Sequence, residues 1–395
     1  MTPRTHGAAD AAVGYLYQTR WGLLELLRSR TESPDAAISL EMHDDVAWDD
    51  DGTPAQLLSL KHHRTARALT DASDDLWRTL RVWRDSGTAT DSNGPKLLLV
   101  TTSTAADNSA AAVLRDDAAR NEPVAIARLT AAAADSTAQG TADIRAWFNG
   151  LNNSDRQVFA HKIIVADTAT PIEDIRAALR AALWWALPRQ GRDTFLDLLW
   201  SWWEQVALDM LRRKRGAVSR LEAQDHIADL RDKFAPDNLP TVVELADVDE
   251  DVLVAAHENR LFVAQMQWVR YTRPNLRRAI VDYYRAVEHT TRWLADDLIG
   301  LAELRKFEDN LRDEWARAFD DMIDDLGADA DEEAKVAAGK ELLRRLLDST
   351  AVTVRSRYND RFFARGKRHE LAETRQAGWH PDFRARVEAL LAPAN

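Results

Sequence analysis

The chain has 395 residues, of which 45% are hydrophobic and 29% are charged, and this composition is typical of a folded protein with two or three domains rather than a disordered or collagen-like one. The absence of cysteine excludes disulfide scaffolds, Cys-ligated zinc, iron–sulfur clusters and thiol nucleophiles, so a bound metal needs Asp, Glu or His ligands. A formal net charge of −12 argues against a wholly basic, constitutively DNA-binding surface but allows a local basic cleft.

Residues 1–9 lack the basic and then apolar run of a signal peptide, and the sequence has no apolar stretch long enough to span a membrane. We therefore expect a cytoplasmic protein with no membrane partner. The 14 tryptophans predict large buried helix interfaces or a partner surface.

The first hundred residues alternate between helical and strand patterns. Apolar side chains recur at helical spacing over residues 11–28 and 74–83. Short β-like runs occur at 36–42, 44–48 and 55–62, the last two joined by an acidic turn at 49–52, and a buried-strand pattern covers 96–101. This order predicts an α/β domain.

Further along, residues 105–146 predict helices packed over the sheet, 158–165 a last strand, and 174–187 a helix that ends before Pro188. Beyond Pro188 the strand signals nearly vanish and long helical patterns take over. We therefore predict an α/β domain over residues 1–187 and an all-helical domain over residues 188–395.

Acidic and basic side chains mark the ends of these predicted strands. Glu25 lies on the first helix, Asp45 opens the second strand, and Lys61 ends the third. This is the order of the restriction-endonuclease-like nuclease core, in which carboxylates hold Mg²⁺ and a lysine orients the attacking water. Strand alternation places Ser59 on the face of Lys61, in the second ligand position, although a hydroxyl is a poor Mg²⁺ ligand. The alternative interpretation is structural: the aspartates around Asp45 form a solvated turn, and Lys61 is a surface lysine at the end of a strand.

Several polar side chains near these strands are candidate DNA contacts. Gln18 lies on a small, polar face of the first helix, His62 and His63 follow Lys61, and Arg78 and Arg81 lie off the apolar stripe of the next helix. The histidine pair also suits a general base, a metal ligand or simple packing. The sequence contains no Gly-rich phosphate loop, GxSxG or HExxH motif, so an ATPase is excluded.

The helical half carries two basic clusters that suit a DNA backbone or a partner surface. One contains Arg277 and Arg278, and the other covers residues 355–368. Trp293, Phe307 and Trp315 fit core packing on long helices, and any of them that is exposed would be an anchor for a partner or for self-association.

Particular segments resemble two families. Residues 14–18, 40–46, 57–63 and 69–83 resemble the N-terminal double-stranded-DNA nuclease domain of Cap-type effectors in bacterial antiphage systems. Residues 282–286, 303–304, 311–315, 365–369 and 378–381 are similar to the C-terminal domain shared by effectors of ABC-three-component, or Lamassu, defence systems. The two resemblances together leave roughly residues 105–157 unmatched.

The resemblance implies a metal-dependent double-stranded DNA endonuclease that an SMC-like ABC ATPase and a small third subunit keep inactive until release or homo-oligomerisation. It implies Asp45 and Glu25 as ligands of Mg²⁺ or Mn²⁺ and Lys61 as the water-orienting cation. The family's strand motif is Gln-x-Lys, whereas this chain has Ser59-Leu60-Lys61. Partner or regulatory roles are implied for Arg277, Arg278, Trp315, Arg365 and Trp379. The alternative is a catalytically silent DNA-binding or adaptor subunit of the same complex.

Overall fold

A computed structural model describes residues 6–28, 33, 35–50, 52–63, 67–327 and 329–392. Residues 1–5, which belong to the segment 1–9 that lacks a signal-peptide pattern, lie outside the described residues. So does Asp51 of the predicted acidic turn. The chain forms two compact units. Residues 1–187 and 199–228 make up the first, and residues 188–198 and 229–395 the second.

The first unit is built on strands β1 (Ala37–Leu40), β2 (Val46–Asp50), β3 (Thr53–Lys61), β4 (Ala68–Leu69), β5 (Lys96–Thr101), β6 (Thr104–Ala105), β7 (Ile163–Ala166) and β8 (Val218–Ser219). Its helices are α1 (His6–Arg28), α2 (Asp74–Asp85), α3 (Ala110–Val113), α4 (Glu122–Asp135), α5 (Ala142–Gly150), α6 (Asn153–Lys162) and α7 (Ile175–Ala182). Two helices, α8 (Arg192–Leu211) and α9 (Arg220–Asp232), contain residues of both units.

Six strands form one mixed sheet in the order β7-β5-β3-β2-β1-β8. The β3, β5 and β7 strands are parallel, whereas β2 pairs with β3 and β1 pairs with β2 and β8 in antiparallel fashion. The strands β4 and β6 form a separate parallel pair. Gly52, at a φ of 77°, lies in the turn between β2 and β3, where a left-handed backbone favours glycine.

Because strand side chains alternate, the sheet buries a different set on each face. On one face, Val46, Trp48, Leu58 and Leu60 pack in one core with Tyr17 and Leu24 of α1. On the other face, Ala47, Leu57, Leu97 and Leu99 pack with Trp77, Leu80 and Trp83 of α2. The sheet is thus covered by helices on both sides, with α1 and α2 on opposite faces.

The observed elements correct part of the prediction. Residues 158–162, the first part of the strand predicted over 158–165, belong instead to helix α6, whose start is capped by the Asn152 side chain, which accepts from the Asp155 N–H. Only the apolar run from Ile163 continues as strand β7. The helix predicted over 174–187 ends earlier, at Ala182.

The second unit is helical. It contains α10 (Glu250–His257), α11 (Leu261–Trp268), α12 (Arg273–Ala295), α13 (Leu301–Leu326), α14 (Glu332–Asp348), α15 (Arg361–Glu373) and α16 (Phe383–Leu391) around a single apolar core. The predicted fold class, an α/β domain followed by an all-helical region, is confirmed. Within the described part of the chain, no helix has both the length and the apolar character needed to cross a membrane.

The division between the units is not a single point in the sequence. The first segment of the first unit ends at Leu187, where the sequence predicts the boundary, but residues 199–228 return to this unit. They contribute β8, which pairs with β1, and Trp203, whose indole N–H donates to the carbonyl of Thr19 at 2.7 Å. The two-domain division at residue 187 stays a prediction.

Candidate active site

The hairpin of β2 and β3 brings Asp45 and Lys61 together at one end of the sheet. Val46 lies opposite Leu58 in this register, so Asp45 lies beside the last residues of β3. Asp45 Oδ2 accepts from the Leu60 N–H at 2.7 Å and lies 3.7 Å from Lys61 Nζ. The side chains of Lys61 and Asp45 are 25% and 19% exposed, so this charge pair is open to solvent on one side.

Ser59 completes a short chain of contacts on the α2 side of the sheet. Lys61 Nζ donates to Ser59 Oγ at 3.1 Å, and the Ser59 and Thr79 hydroxyls lie 3.5 Å apart. Ser59 is 1% exposed. The predicted shared face of Ser59 and Lys61 is therefore present, and the Ser59 hydroxyl orients the lysine ammonium.

Three carboxylates cluster in the turn between β1 and β2. Asp44 Oδ1 accepts from the Asp45 N–H at 2.9 Å, and Asp44 Oδ2 accepts from the Trp83 indole at 3.0 Å. Burial, together with the charge of Asp45, raises the pKa of Asp44 to about 6. Burial and the charges of Asp45 and Asp44 likewise raise the pKa of Glu41. Charge density of this kind favours a cation at the site.

Glu25 lies on the other side of the sheet. Its Oε1 accepts from the Trp48 indole at 3.1 Å, and Trp48 packs in the α1-side core, whereas Ser59 faces Thr79 of α2. Burial raises the pKa of Glu25. The proposed role of Glu25 as a metal ligand stays a prediction, because its contacts link it to Trp48 rather than to Lys61 or Ser59.

The donor set fits a divalent cation that is shared with a bound phosphate. Among the residues that the structure describes, no group of three His, Cys, Asp or Glu side chains is placed to hold a metal by itself. Mg²⁺ in phosphate-processing sites is commonly bound through one or two carboxylates together with substrate phosphate and water. Asp45, with Asp44 beside it, would supply the protein's share of such a site.

The candidate DNA-contacting residues fall in different environments. Gln18 is partly buried on α1. His62 packs its ring 4.8 Å from that of Tyr17 and accepts from the Ile172 N–H at 3.5 Å, whereas His63 Nε2 lies 2.6 Å from Asp75 Oδ2. On the outer face of α2, Arg78 pairs with Asp74, and Arg81 pairs with Asp143 and the Gly140 carbonyl. Contact with DNA stays a prediction for all five residues.

The structure corrects part of the second predicted basic cluster of the helical half, which covers residues 355–368. Lys367 and Arg368 are 2% and 1% exposed, and they form ion pairs with Glu308, Glu370 and Glu314 inside the second unit. Lys367 and Arg368 lie on the buried face of α15 (Arg361–Glu373), so these two residues do not belong to the predicted basic surface, whereas Arg357 and Arg361 of the same stretch are exposed.

The aromatic anchors of the second unit are also buried. Trp293, Phe307, Trp315 and Trp379 are between 0% and 7% exposed, and the Trp315 indole donates to the Gly378 carbonyl at 2.8 Å. Trp315 and Trp379 are therefore core residues rather than exposed anchors, which corrects the expectation of direct partner contact.

Three arginines predicted to contact a partner have partners within the unit. Arg277 pairs with Asp251 at 2.6 Å, Arg278 donates to Asn275 Oδ1 at 3.4 Å, and Arg365 donates to the Leu347 carbonyl at 2.9 Å. Their regulatory role stays a prediction.

Sequence reasoning missed three residues of this region. Asp44, Thr79 and Asp75 contact Trp83, Ser59 and His63 respectively. The available signal was the spacing of α2, because Asp75, Thr79 and Trp83 recur every four residues and so lie on one face of that helix.

A mixed sheet with helices on both faces, followed by an all-helical unit, defines the class as a nuclease-like α/β domain joined to a helical C-terminal region. Residues 6–110 match the family model of the Cap4 dsDNA endonuclease domain, and residues 262–387 match C-terminal domain 7 of the ABC-three component systems. The chain thus combines a Cap4-type dsDNA endonuclease domain with an ABC-three component C-terminal domain, and the predicted resemblance is confirmed. No curated protein matches the chain.

Proposed function

We propose that this chain is the nuclease effector of an ABC-three component defence system and that it hydrolyses double-stranded DNA in the cytoplasm. The observation that carries the proposal is the position of Lys61 Nζ, 3.7 Å from Asp45 Oδ2 and 3.1 Å from Ser59 Oγ, within the segment that matches the Cap4 dsDNA endonuclease domain. A fixed ammonium beside a carboxylate at a partly exposed sheet end suits a phosphodiester substrate.

Each residue has a role in this proposal. Asp45, assisted by Asp44, would hold Mg²⁺ or Mn²⁺, and Glu25 would support the site from the other face of the sheet, where it is hydrogen-bonded to Trp48. The metal supplies positive charge that neutralises the scissile phosphate. Lys61 donates to the phosphate or to the attacking water, and Ser59 orients Lys61 through the 3.1 Å contact. Gln18, Arg78 and Arg81 contact the DNA backbone.

The C-terminal match supports the regulatory part of the proposal. Residues 262–387 carry the domain of ABC-three component systems, and we propose that this half binds an SMC-like ABC ATPase and a small third subunit. In this scheme the complex keeps the nuclease inactive, and release or homo-oligomerisation allows cleavage. Arg277, Arg278 and Arg365 are its partner-facing cations.

The test is cleavage of supercoiled plasmid by the full chain with Mg²⁺ or Mn²⁺, alone and with the ATPase and third subunit. We expect Lys61→Ala to lower the rate at least about 100-fold, because it removes an electrostatic contact to the reacting phosphate. The thermal transition should change little, because the side chain is partly exposed.

Lys96→Ala is the matched control. Lys96 is an exposed lysine at the start of β5, and it lies opposite Gln56 rather than at the Lys61 end of the sheet. Its cleavage rate should equal that of the unmodified chain. Equal losses in both variants, or a Lys61→Ala variant that no longer folds, would contradict the role of Lys61.

A second candidate function is a catalytically silent DNA-binding or adaptor subunit. The observation that favours it is Ser59, which occupies the second ligand position and is already engaged by Lys61 and Thr79. This alternative predicts DNA binding without nicking under every combination of metal and partner in the same assay.

A further inference from the structure

A histidine–carboxylate pair lies next to Lys61. His63 Nε2 and Asp75 Oδ2 are 2.6 Å apart, and the two side chains are 23% and 32% exposed. The backbone N–H of His63 donates to Thr102 Oγ1 at 2.9 Å, and the Thr102 N–H donates to the Lys61 carbonyl. The backbone on both sides of Lys61 is therefore held, and the imidazole of His63 is fixed two residues from the lysine.

Contacts with α2 place this pair on the same side of the sheet as the candidate active site. Ser59 meets Thr79 and His63 meets Asp75, and Asp75 and Thr79 are one turn apart on one face of α2. Lys61 lies between Ser59 and His63 in the chain and donates to Ser59. Two residues of extended chain separate the Cα atoms of Lys61 and His63 by about 7 Å, so both side chains lie at the same end of β3.

The carboxylate determines which ring nitrogen carries the proton. An ionised Asp75 only accepts hydrogen bonds, so Nε2 of a neutral His63 carries the N–H and Nδ1 carries the lone pair. Lys61 has no equivalent, because an ammonium donates three hydrogen bonds and accepts none. Of these two side chains, only His63 can receive a proton.

We infer that His63 is the general base of this site and that Asp75 is its positioning residue, an inference that rests on the proposed function. Nδ1 takes a proton from the attacking water while the water oxygen forms the new P–O bond. The P–O bond to the leaving sugar oxygen breaks, and that oxygen leaves with the bonding electron pair and takes a proton from solvent. The Asp75 carboxylate stabilises the imidazolium until it returns its proton to solvent.

The neighbouring histidine does not serve this purpose. His62 Nε2 accepts from the Ile172 N–H, and its ring packs against Tyr17. Burial lowers the pKa of His62. His62 therefore ties the end of β3 to the segment before α7, whereas His63 is oriented by a carboxylate.

The His63–Asp75 pair also has a structural role, which differs from catalysis in its experimental consequences. Asp75 lies in the first turn of α2, where a carboxylate is favourable against the helix dipole, so the pair also ties β3 to α2. A structural tie would lower stability when broken, but added imidazole would not restore cleavage.

The experiment uses the full chain under the metal and partner conditions in which it cuts plasmid. His63→Ala should lower the single-turnover cleavage rate about 100-fold or more, with DNA affinity changed less than about twofold, and added imidazole should restore part of the rate. Asp75→Asn should also lower the rate, because an amide that donates to Nε2 moves the ring proton to Nδ1. His161→Ala is the control, since His161 forms an exposed histidine–carboxylate pair with Glu122 at 3.1 Å on α6.

A second readout does not depend on activity. Nitrogen-15 NMR of labelled histidine should show His63 protonated at Nε2 in the unmodified chain and at Nδ1 in Asp75→Asn. An Nδ1–H tautomer in the unmodified chain would overturn the inference. So would a His63→Ala variant that loses DNA affinity in parallel with cleavage, or one that cuts normally while Lys61→Ala does not. An unmodified chain that never cuts would instead overturn the proposed function, and the base role with it.

Discussion

Asp44 is a buried carboxyl group beside a second carboxylate. The indole of Trp83 and the N–H of Asp45 each donate to one of its oxygens, but burial and the charge of Asp45 together raise its pKa to about 6. The protonated form is thus favoured in the folded state relative to an ordinary aspartate, whose pKa is 3.8. The same arrangement stores negative charge next to Asp45 above pH 6.

This raised pKa predicts a pH-dependent stability. A group whose folded-state pKa exceeds its unfolded-state value stabilises the fold fully below the lower pKa and loses that contribution as pH rises through the higher one. The free energy of unfolding should therefore fall between pH 4 and 7 relative to Asp44→Asn, by at most about 3 kcal/mol. Urea unfolding of both proteins across this range is the measurement.

The hydrogen bond lost in Asp44→Asn changes the free energy of unfolding by the same amount at every pH. Only the pH dependence of the difference in unfolding free energy between the two proteins therefore tests the prediction. A difference between the two proteins that is flat with pH would show that Asp44 titrates normally.

At the residue scale, sequence patterns correctly placed Asp45 close to Lys61. The order of helix, strand and strand predicted Asp45 and Lys61 on neighbouring strands, and alternation put Ser59 on the face of Lys61, where it contacts the ammonium. The sequence did not indicate which of the consecutive aspartates is buried. That depends on Trp83, 39 residues away, and long-range packing of this kind leaves no local pattern.

At the scale of elements, the crossing of α12 and α15 depends on Gly366. A Cβ at this position would lie 2.2 Å from the Asp282 carbonyl oxygen and 2.5 Å from Ala286 Cβ. Both neighbours belong to α12, and one of them is backbone, so a side chain cannot be accommodated by a rotamer change. The missing Cβ lets the two helices approach closely.

Gly366→Ser should therefore lower the stability of the second unit by about 3 kcal/mol or more, because the helices must separate. Gly300→Ser is the control, since nothing lies within 4 Å of a Cβ there and Gly300 is the N-cap of α13, where serine is favoured. Thermal unfolding followed by circular dichroism compares the two variants. Equal midpoints would contradict the crossing as described.

The elements also show where sequence periodicity fails. The run from Val158 to Val165 reads as one strand, yet a helix ends at Lys162 and β7 begins at Ile163. Phe159 and Ala160 are buried in α6, and a buried strand would also carry apolar side chains, so their apolar character does not discriminate between helix and strand. The cap at Asn152 was the local signal for the helix.

At the scale of the whole molecule, residues 199–228 are needed to complete the first unit. Trp203, Val206, Met210, Val218 and Ala223 are buried in the same core as α1 and β1. Burial of a large apolar side chain contributes about 1.5–3 kcal/mol, so losing this segment removes as much as the whole net stability of a typical domain.

We therefore expect a fragment of residues 1–228 to unfold cooperatively and a fragment of residues 1–187 to lack a cooperative transition. Urea unfolding followed by tryptophan fluorescence measures both. Two fragments with the same midpoint would show that the returning segment is dispensable. The sequence could not show this return, because the helical periodicity of α8 is the same whichever unit covers it.

The discontinuous first unit also constrains how such a gene can exchange its parts. The chain passes between the units three times, after residues 187, 198 and 228. A recombination breakpoint at residue 187 would join residues 1–187 of one ancestor to β8 and Trp203 of another. These two elements would then have to fit a strand β1 and a helix α1 with which they had not evolved. A breakpoint just after residue 228 keeps every strand of the sheet with its own partners, so we expect chimaeric relatives to change ancestry there.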